Sequence, residues 1–124
     1  MSINTTILVG NVTDSPELRF LPSGKAVANF TVADTPRFQD PTSGEWKDGE
    51  ALFQRVVAWG DLAENIAETV RKGTRVVIAG RLMQKSFTNN EGTKHNYTEI
   101  RAEEVAASLK YATAVITKTS RKTQ

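Results

Sequence analysis

The chain is 124 residues long with 39% hydrophobic residues, enough for one buried core and short for two domains. It contains no cysteine, which excludes disulfides, thiol catalysis and cysteine-ligated zinc, and no apolar run long enough to span a bilayer. Lysine plus arginine total 16 against 14 for aspartate plus glutamate, so the net charge of +2 does not by itself point to nucleic acid, and a basic site has to come from clustering.

The start, Met1-Ser2-Ile3-Asn4-Thr5-Thr6, lacks a basic region followed by an apolar run, so a soluble cytoplasmic protein is the default expectation. Without a secretory signal the Asn-x-Thr triplets at Asn4, Asn11, Asn29 and Asn96 carry no weight as glycosylation acceptors. A first strand is predicted from Thr5 to Val12, rich in β-branched residues, with Gly10 marking a bulge or a close backbone approach. Turn signals at Ser15-Pro16 and Pro22-Ser23-Gly24 flank Glu17-Leu18-Arg19-Phe20, and a second strand follows from about Lys25 to Val32. Residues 33–50 hold Pro36, Pro41, Gly44 and Gly49 and read as a long polar loop, functional or disordered, with Phe38 and Trp46 as its isolated aromatics.

A third strand runs from Leu52 to Trp59, where period two places Phe53, Arg55, Val57 and Trp59 on one face. Asp61 with Glu64 forms an aspartate version of the N-terminal capping signature. Leu62, Ala63, Ile66, Ala67 and Val70 form a helical stripe, and Lys72-Gly73 supplies the stop. A fourth strand, Thr74 to Thr88, puts Val76, Ile78, Gly80 and Leu82 on one side and Arg75, Arg81, Lys85 and Phe87 on the other. Asn89-Asn90-Glu91-Gly92 turns the chain into a fifth strand at about Lys94 to Ala106. Three strands, one helix and two strands is the element order of an all-β fold with one helix, the five-stranded OB-fold barrel.

Phe38, Phe53, Trp59 and Phe87 each have a cation nearby in sequence or on their own strand face: Arg37, Arg55 and Lys85. Aromatic rings stack on any base and cations neutralise phosphates, a combination suited to an unpaired strand. Taken singly, Phe53 or Trp59 fits core packing equally well, and Trp46 fits a plain hairpin contact. Arg37, Arg55, Lys72, Arg75, Arg81 and Lys85 are the phosphate candidates, Arg55 and Lys85 foremost. No catalytic constellation, cofactor motif or metal-ligand spacing is present: the only histidine, His95, sits beside a turn and reads as solvent-exposed. An OB-fold subunit that binds protein, and an RNA binder, remain alternatives on the residues alone.

Ile7-Leu8-Val9-Gly10-Asn11-Val12, Asp14, Pro16-Glu17, Gly24, Ala26-Val27-Ala28-Asn29, Arg55-Val56-Val57, Leu62-Ala63-Glu64, Arg71-Lys72-Gly73 and Gly80 together resemble the bacterial single-stranded DNA-binding protein family over residues 1–107. The resemblance implies sequence-independent binding of single-stranded DNA in replication, recombination and repair. It places the family's stacking positions on Phe38, Phe53, Trp59 and Phe87, with phenyl rings at three indole positions, so fluorescence quenching should depend mostly on Trp59. It also implies a nucleoid-associated homotetramer that wraps DNA.

Residues 108–124 are similar to the actinobacterial branch, in which a C-terminal strand clamps neighbouring subunits. Here Tyr111, Thr113, Val115 and Thr117 alternate suitably for the clamp. The family's acidic tip, which recruits replication and repair proteins, is absent from this sequence. The chain ends instead in Ser120-Arg121-Lys122-Thr123-Gln124, and partner recruitment is expected to be reduced, unless the chain is a truncated piece.

Overall fold

Apolar residues alternating with polar ones build a sheet that closes on itself. The computed structural model describes residues 4–120. Its strands β1 (Thr6–Val12), β2 (Glu17–Phe20), β3 (Ala26–Asp34), β4 (Arg37–Gln39), β5 (Trp46–Asp48) and β6 (Leu52–Trp59) precede helix α1 (Asp61–Thr69). Strands β7 (Arg75–Thr88) and β8 (Lys94–Ala107) follow it. The order β1-β7-β8-β6-β3 returns to β1 through Asn11↔Ala33 and Val12↔Val32, so these strands form the closed ring expected of an OB-type fold. β6 and β8 run parallel, from Arg55↔Glu99 to Val57↔Arg101, while the neighbouring pairings are antiparallel.

Inward positions such as Leu8, Phe30, Val32, Val56, Ile78 and Ile100 fill the ring, and Ala63 and Ile66 of α1, with Val70 beyond it, complete the core. Burying each large aliphatic side chain contributes about 1.5–3 kcal/mol. Gln54 is the buried polar residue of this interior; its amide donates to the Arg55 carbonyl at 3.2 Å and accepts from Thr98 Oγ1 at 3.3 Å.

Two glycines mark where backbones approach too closely for a side chain. A Cβ on Gly10 would meet the Ala33 carbonyl oxygen, the close approach expected there. A Cβ on Gly80 would meet the Arg101 carbonyl oxygen and come within 2.9 Å of the Ala102 Cα. The β7–β8 register also shifts between Ala79 and Gly80. Because the obstacles at Gly80 are backbone atoms that cannot rotate away, Gly80→Ala is expected to lower the unfolding free energy by about 1–3 kcal/mol. A reduced urea midpoint at unchanged m-value checks this.

Three local expectations are revised. Glu17–Phe20, flanked by turn signals, is an edge strand paired with β3 from Glu17↔Asn29 to Phe20↔Ala26. Residues 33–50 are not a structureless loop but contain a hairpin paired at Arg37↔Asp48, Phe38↔Lys47 and Gln39↔Trp46, whose three-residue strands are too short to show a period. Its turn is held by the Asp40 carboxylate, which lies 2.8 Å from Lys47 Nζ and accepts from the Thr42 N–H at 2.8 Å. Those contacts, Lys47 first, hold the carboxyl below its ordinary pKa. At α1 the N-cap is Gly60, at φ 70°, with no side-chain cap bond, and Asp61 and Glu64 lie in the first turn where the helix dipole favours acids.

The C-terminal clamp strand is not formed in the single chain. Residues 108–120 have no strand pairing, and Tyr111 and Val115 are exposed. A strand needs a neighbouring edge for its backbone groups, and β7 and β8 are already engaged with ring partners. Arg121 to Gln124, the end of the expected basic tail, lie outside the described residues.

Candidate nucleic-acid interface

Along β6, Gln54, Val56 and Ala58 are buried and Phe53 and Arg55 exposed, but the expected alternation fails at Val57, which is buried too, beside a half-buried Trp59. Phe53 is 65% exposed, which excludes core packing for it. Trp59 is half-buried, with Lys25 Nζ 5.5 Å and the Arg101 guanidinium carbon 5.8 Å from its ring centroid.

The β7–β8 hairpin supplies the rest of the face. Asn89 Oδ1 accepts the backbone N–H groups of Glu91 at 3.0 Å and Thr93 at 2.9 Å, holding the turn. The register that follows sets Phe87 opposite His95 and Lys85 opposite Tyr97. Phe87, 48% exposed, stacks on His95 with centroids 5.1 Å apart at 20° and meets Tyr97 at 5.9 Å and 55°. The Arg55 guanidinium lies 4.6 Å from the Tyr97 ring centroid, joining the hairpin to β6. A shallow cleft of about 350 Å³, lined by Asn29, Thr31, Arg55, Tyr97 and Glu99 among others, crosses the face there.

Of the residues singled out from the sequence, Phe53, Trp59, Phe87, Arg55, Arg81 and Lys85 share this outer sheet surface across β6, β8 and β7. Phe38, 49% exposed, and Arg37 stand on the separate β4–β5 hairpin, where Arg37 is 3.4 Å from Asp48. The structure does not bring Lys72 or Arg75 to the face. Lys72 lies in the connection after α1, with its backbone N–H 3.4 Å from Ser15 Oγ. Arg75 begins β7, twelve positions or about 40 Å of strand from Phe87. Its guanidinium carbon sits 5.7 Å from the Tyr111 ring centroid beside a cleft of about 480 Å³, and its Nε is buried without a hydrogen-bond partner.

Periodicity within single strands does not single out Tyr97, Arg101 or Lys25, and it marks His95 only as an exposed residue. His95 is exposed, but it is also a stacking partner, bonded to Asn89 Nδ2 at 2.9 Å. A signal for Tyr97 existed: folding the chain about Asn89–Gly92 places it across from Lys85. Lys25 and Arg101 needed the pairing of β6 with β3 on one side and β8 on the other.

Chemically the surface offers flat π-faces interleaved with guanidinium and ammonium groups. Bases stack on the former, whatever their identity, and phosphodiesters pair with the latter. No group of three or more His, Cys, Asp or Glu residues suited to a metal ion occurs among the described residues, and no described helix is long and apolar enough to cross a membrane.

Comparison with known proteins agrees with this geometry. The family model described as "Single-strand binding protein family" matches residues 3–108. The chain is 57% identical over 122 residues to the single-stranded DNA-binding protein of Mycolicibacterium smegmatis, covering 98% of this chain and 74% of that one. It is 56% identical, with the same coverage, to the single-stranded DNA-binding protein of Mycobacterium tuberculosis. Among solved structures, the small single-stranded DNA-binding protein from Streptomyces coelicolor superposes with a TM-score of 0.76 at 30% identity, over 88% of this chain and 97% of that chain. A Plasmodium falciparum SSB in complex with ssDNA gives 0.76 at 26% identity, over 87% and 97%.

Proposed function

Because this chain belongs to the single-strand binding protein family, we propose that it coats single-stranded DNA, with no enzymatic step, by stacking bases on Phe53, Trp59 and Phe87 while Arg55, Arg81 and Lys85 hold phosphates. Tyr97 and His95 extend the same platform, and Phe38 with Arg37 adds an arm on the β4–β5 hairpin. Protection of unpaired DNA in replication, recombination and repair is the role this binding serves. The observation that carries the reading is Phe53, Arg55, Tyr97 and Phe87 lying outward on one continuous sheet surface.

Titration with poly-dT at several salt concentrations, followed by tryptophan emission, tests it. The slope of log affinity against log salt is expected at about −0.7 per phosphate neutralised. Matched RNA oligomers should compete less well if the site is for DNA. Absence of binding, or an affinity indifferent to salt, contradicts the reading.

The domain division follows the same logic: residues 1–107 form the binding domain and 108–124 a clamp segment and basic tail. Self-association into a homotetramer is supported by Ile7, 69% exposed on β1 beside the half-buried Val9, Val77 and Ala79. Tyr111, Thr113, Val115 and Thr117 supply the clamp, gaining in an assembly the partner edge they lack in one chain. Linking modest sites along one wrapped strand multiplies their effect. The protein's place is with the chromosome, and its recruitment of replication and repair proteins is a further part of the proposal.

A further inference from the structure

Taking single-stranded DNA as the ligand of this face, we propose that Lys25, Arg81 and Arg101 form a phosphate-binding station built on Trp59, at the end of the surface away from Phe87. Trp59 then positions cations as well as offering a ring to a base.

The station is assembled from three strands and the residue that leads into β3. Ala26, Ala28 and Phe30 of β3 belong to the core, while Lys25, just ahead of the strand, is exposed, and Val27, itself buried, pairs with Trp59. Arg101 pairs across the parallel junction with Val57, two positions from Trp59 on the same face. The result is an indole with an ammonium 5.5 Å and a guanidinium 5.8 Å from its centroid. A cation over an aromatic face is held electrostatically by the ring quadrupole, which restricts the two long side chains before any ligand arrives.

Arg81 lies directly opposite Arg101 in the β7–β8 register. Like charges directly opposite each other destabilise a sheet. The ion pairs Arg19–Glu17, Arg37–Asp48 and Lys47–Asp40 include neither arginine. An anion laid between them relieves that repulsion. The lateral distance from β3 across β6 and β8 to β7 is about 14 Å, at roughly 4.8 Å per strand. One small inorganic ion does not bridge that span, whereas successive phosphates of a polynucleotide do. The station thereby continues the array of Phe87, Tyr97 and Arg55 into one path across the barrel.

The test compares poly-dT binding of the parent, the double variant Lys25→Gln/Arg101→Gln and Arg81→Gln across a salt series, with circular dichroism to establish that each is folded. The salt slope is expected to shrink by about 0.7 for each phosphate no longer neutralised, so by about 1.4 in the double variant. Arg101→Lys should keep the parent slope, and so should Lys118→Gln, a change at an exposed residue outside the strands that form this face. A folded double variant with the parent slope overturns the station while leaving single-stranded DNA binding intact. An equal loss in Lys118→Gln also overturns it, since overall charge would then be responsible. A parent that does not bind poly-dT removes the underlying functional reading itself.

Discussion

Replacing Phe53 and Trp59 together by alanine is expected to weaken oligo-dT binding by about 2–6 kcal/mol, since each stacked base contributes about 1–3 kcal/mol. That is roughly 30-fold to 20,000-fold in Kd. Phe53 is the cleaner half of the experiment: at 65% exposure its ring packs mainly against solvent, so Phe53→Ala should leave the melting transition in place while affinity falls. Trp59 is half-buried over the β3–β6 pair and holds two cations, so its removal takes away a stacking face and loosens Lys25 and Arg101 as well. Polarisation of a labelled oligonucleotide is the appropriate readout, because the substitution deletes one of the two tryptophans of the chain. Parent-like affinity in the double variant would mean that bases stack elsewhere.

Ile100→Ala is expected to cost about 2–5 kcal/mol of stability. Ile100 is 1% exposed and lies where β8 meets Val56 of β6 on one side and Leu82 of β7 on the other, at the parallel junction of the ring. Truncation opens a cavity directly beneath Glu99 and Arg101 while leaving the outward side chains unchanged. The denaturation midpoint should therefore fall steeply, yet the folded fraction should still bind oligo-dT. Saturating oligo-dT should restore part of the loss by mass action, about 2.7 kcal/mol at a free concentration of 100 Kd. A midpoint equal to the parent's would show that the core does not depend on this side chain.

The comparison of β6 with β8 explains why some of this interface is readable without coordinates. Along β6 the faces follow from a period of two within a single strand, so Phe53, Arg55 and Trp59 are grouped by their spacing alone. The stripe of Leu62, Ala63 and Ile66 similarly announces α1, and Gly10 announces a close approach, because each depends on neighbours within a few positions. The short strands β4 and β5 escape such reading, since three residues carry no usable period and their pairing rests on Asp40 with Lys47 and Thr42. Capping at Gly60 escapes it too: its N–H bonds the Ala26 carbonyl at 2.9 Å, a contact with a distant strand.

Local alternation and side-chain chemistry thus specify that aromatic and cationic residues occupy outward positions, and that one chain of this composition forms strands around a single helix. Which outward positions become neighbours is a matter of register and ring closure. Tyr97 meets Arg55, and Lys25 shares Trp59 with Arg101, only because β6 pairs in parallel with β8 and antiparallel with β3. Such pairings join residues tens of positions apart and depend on the packing of the whole core. A slip of one residue would turn every side chain of a strand to the opposite face, so no stretch of sequence contains them on its own.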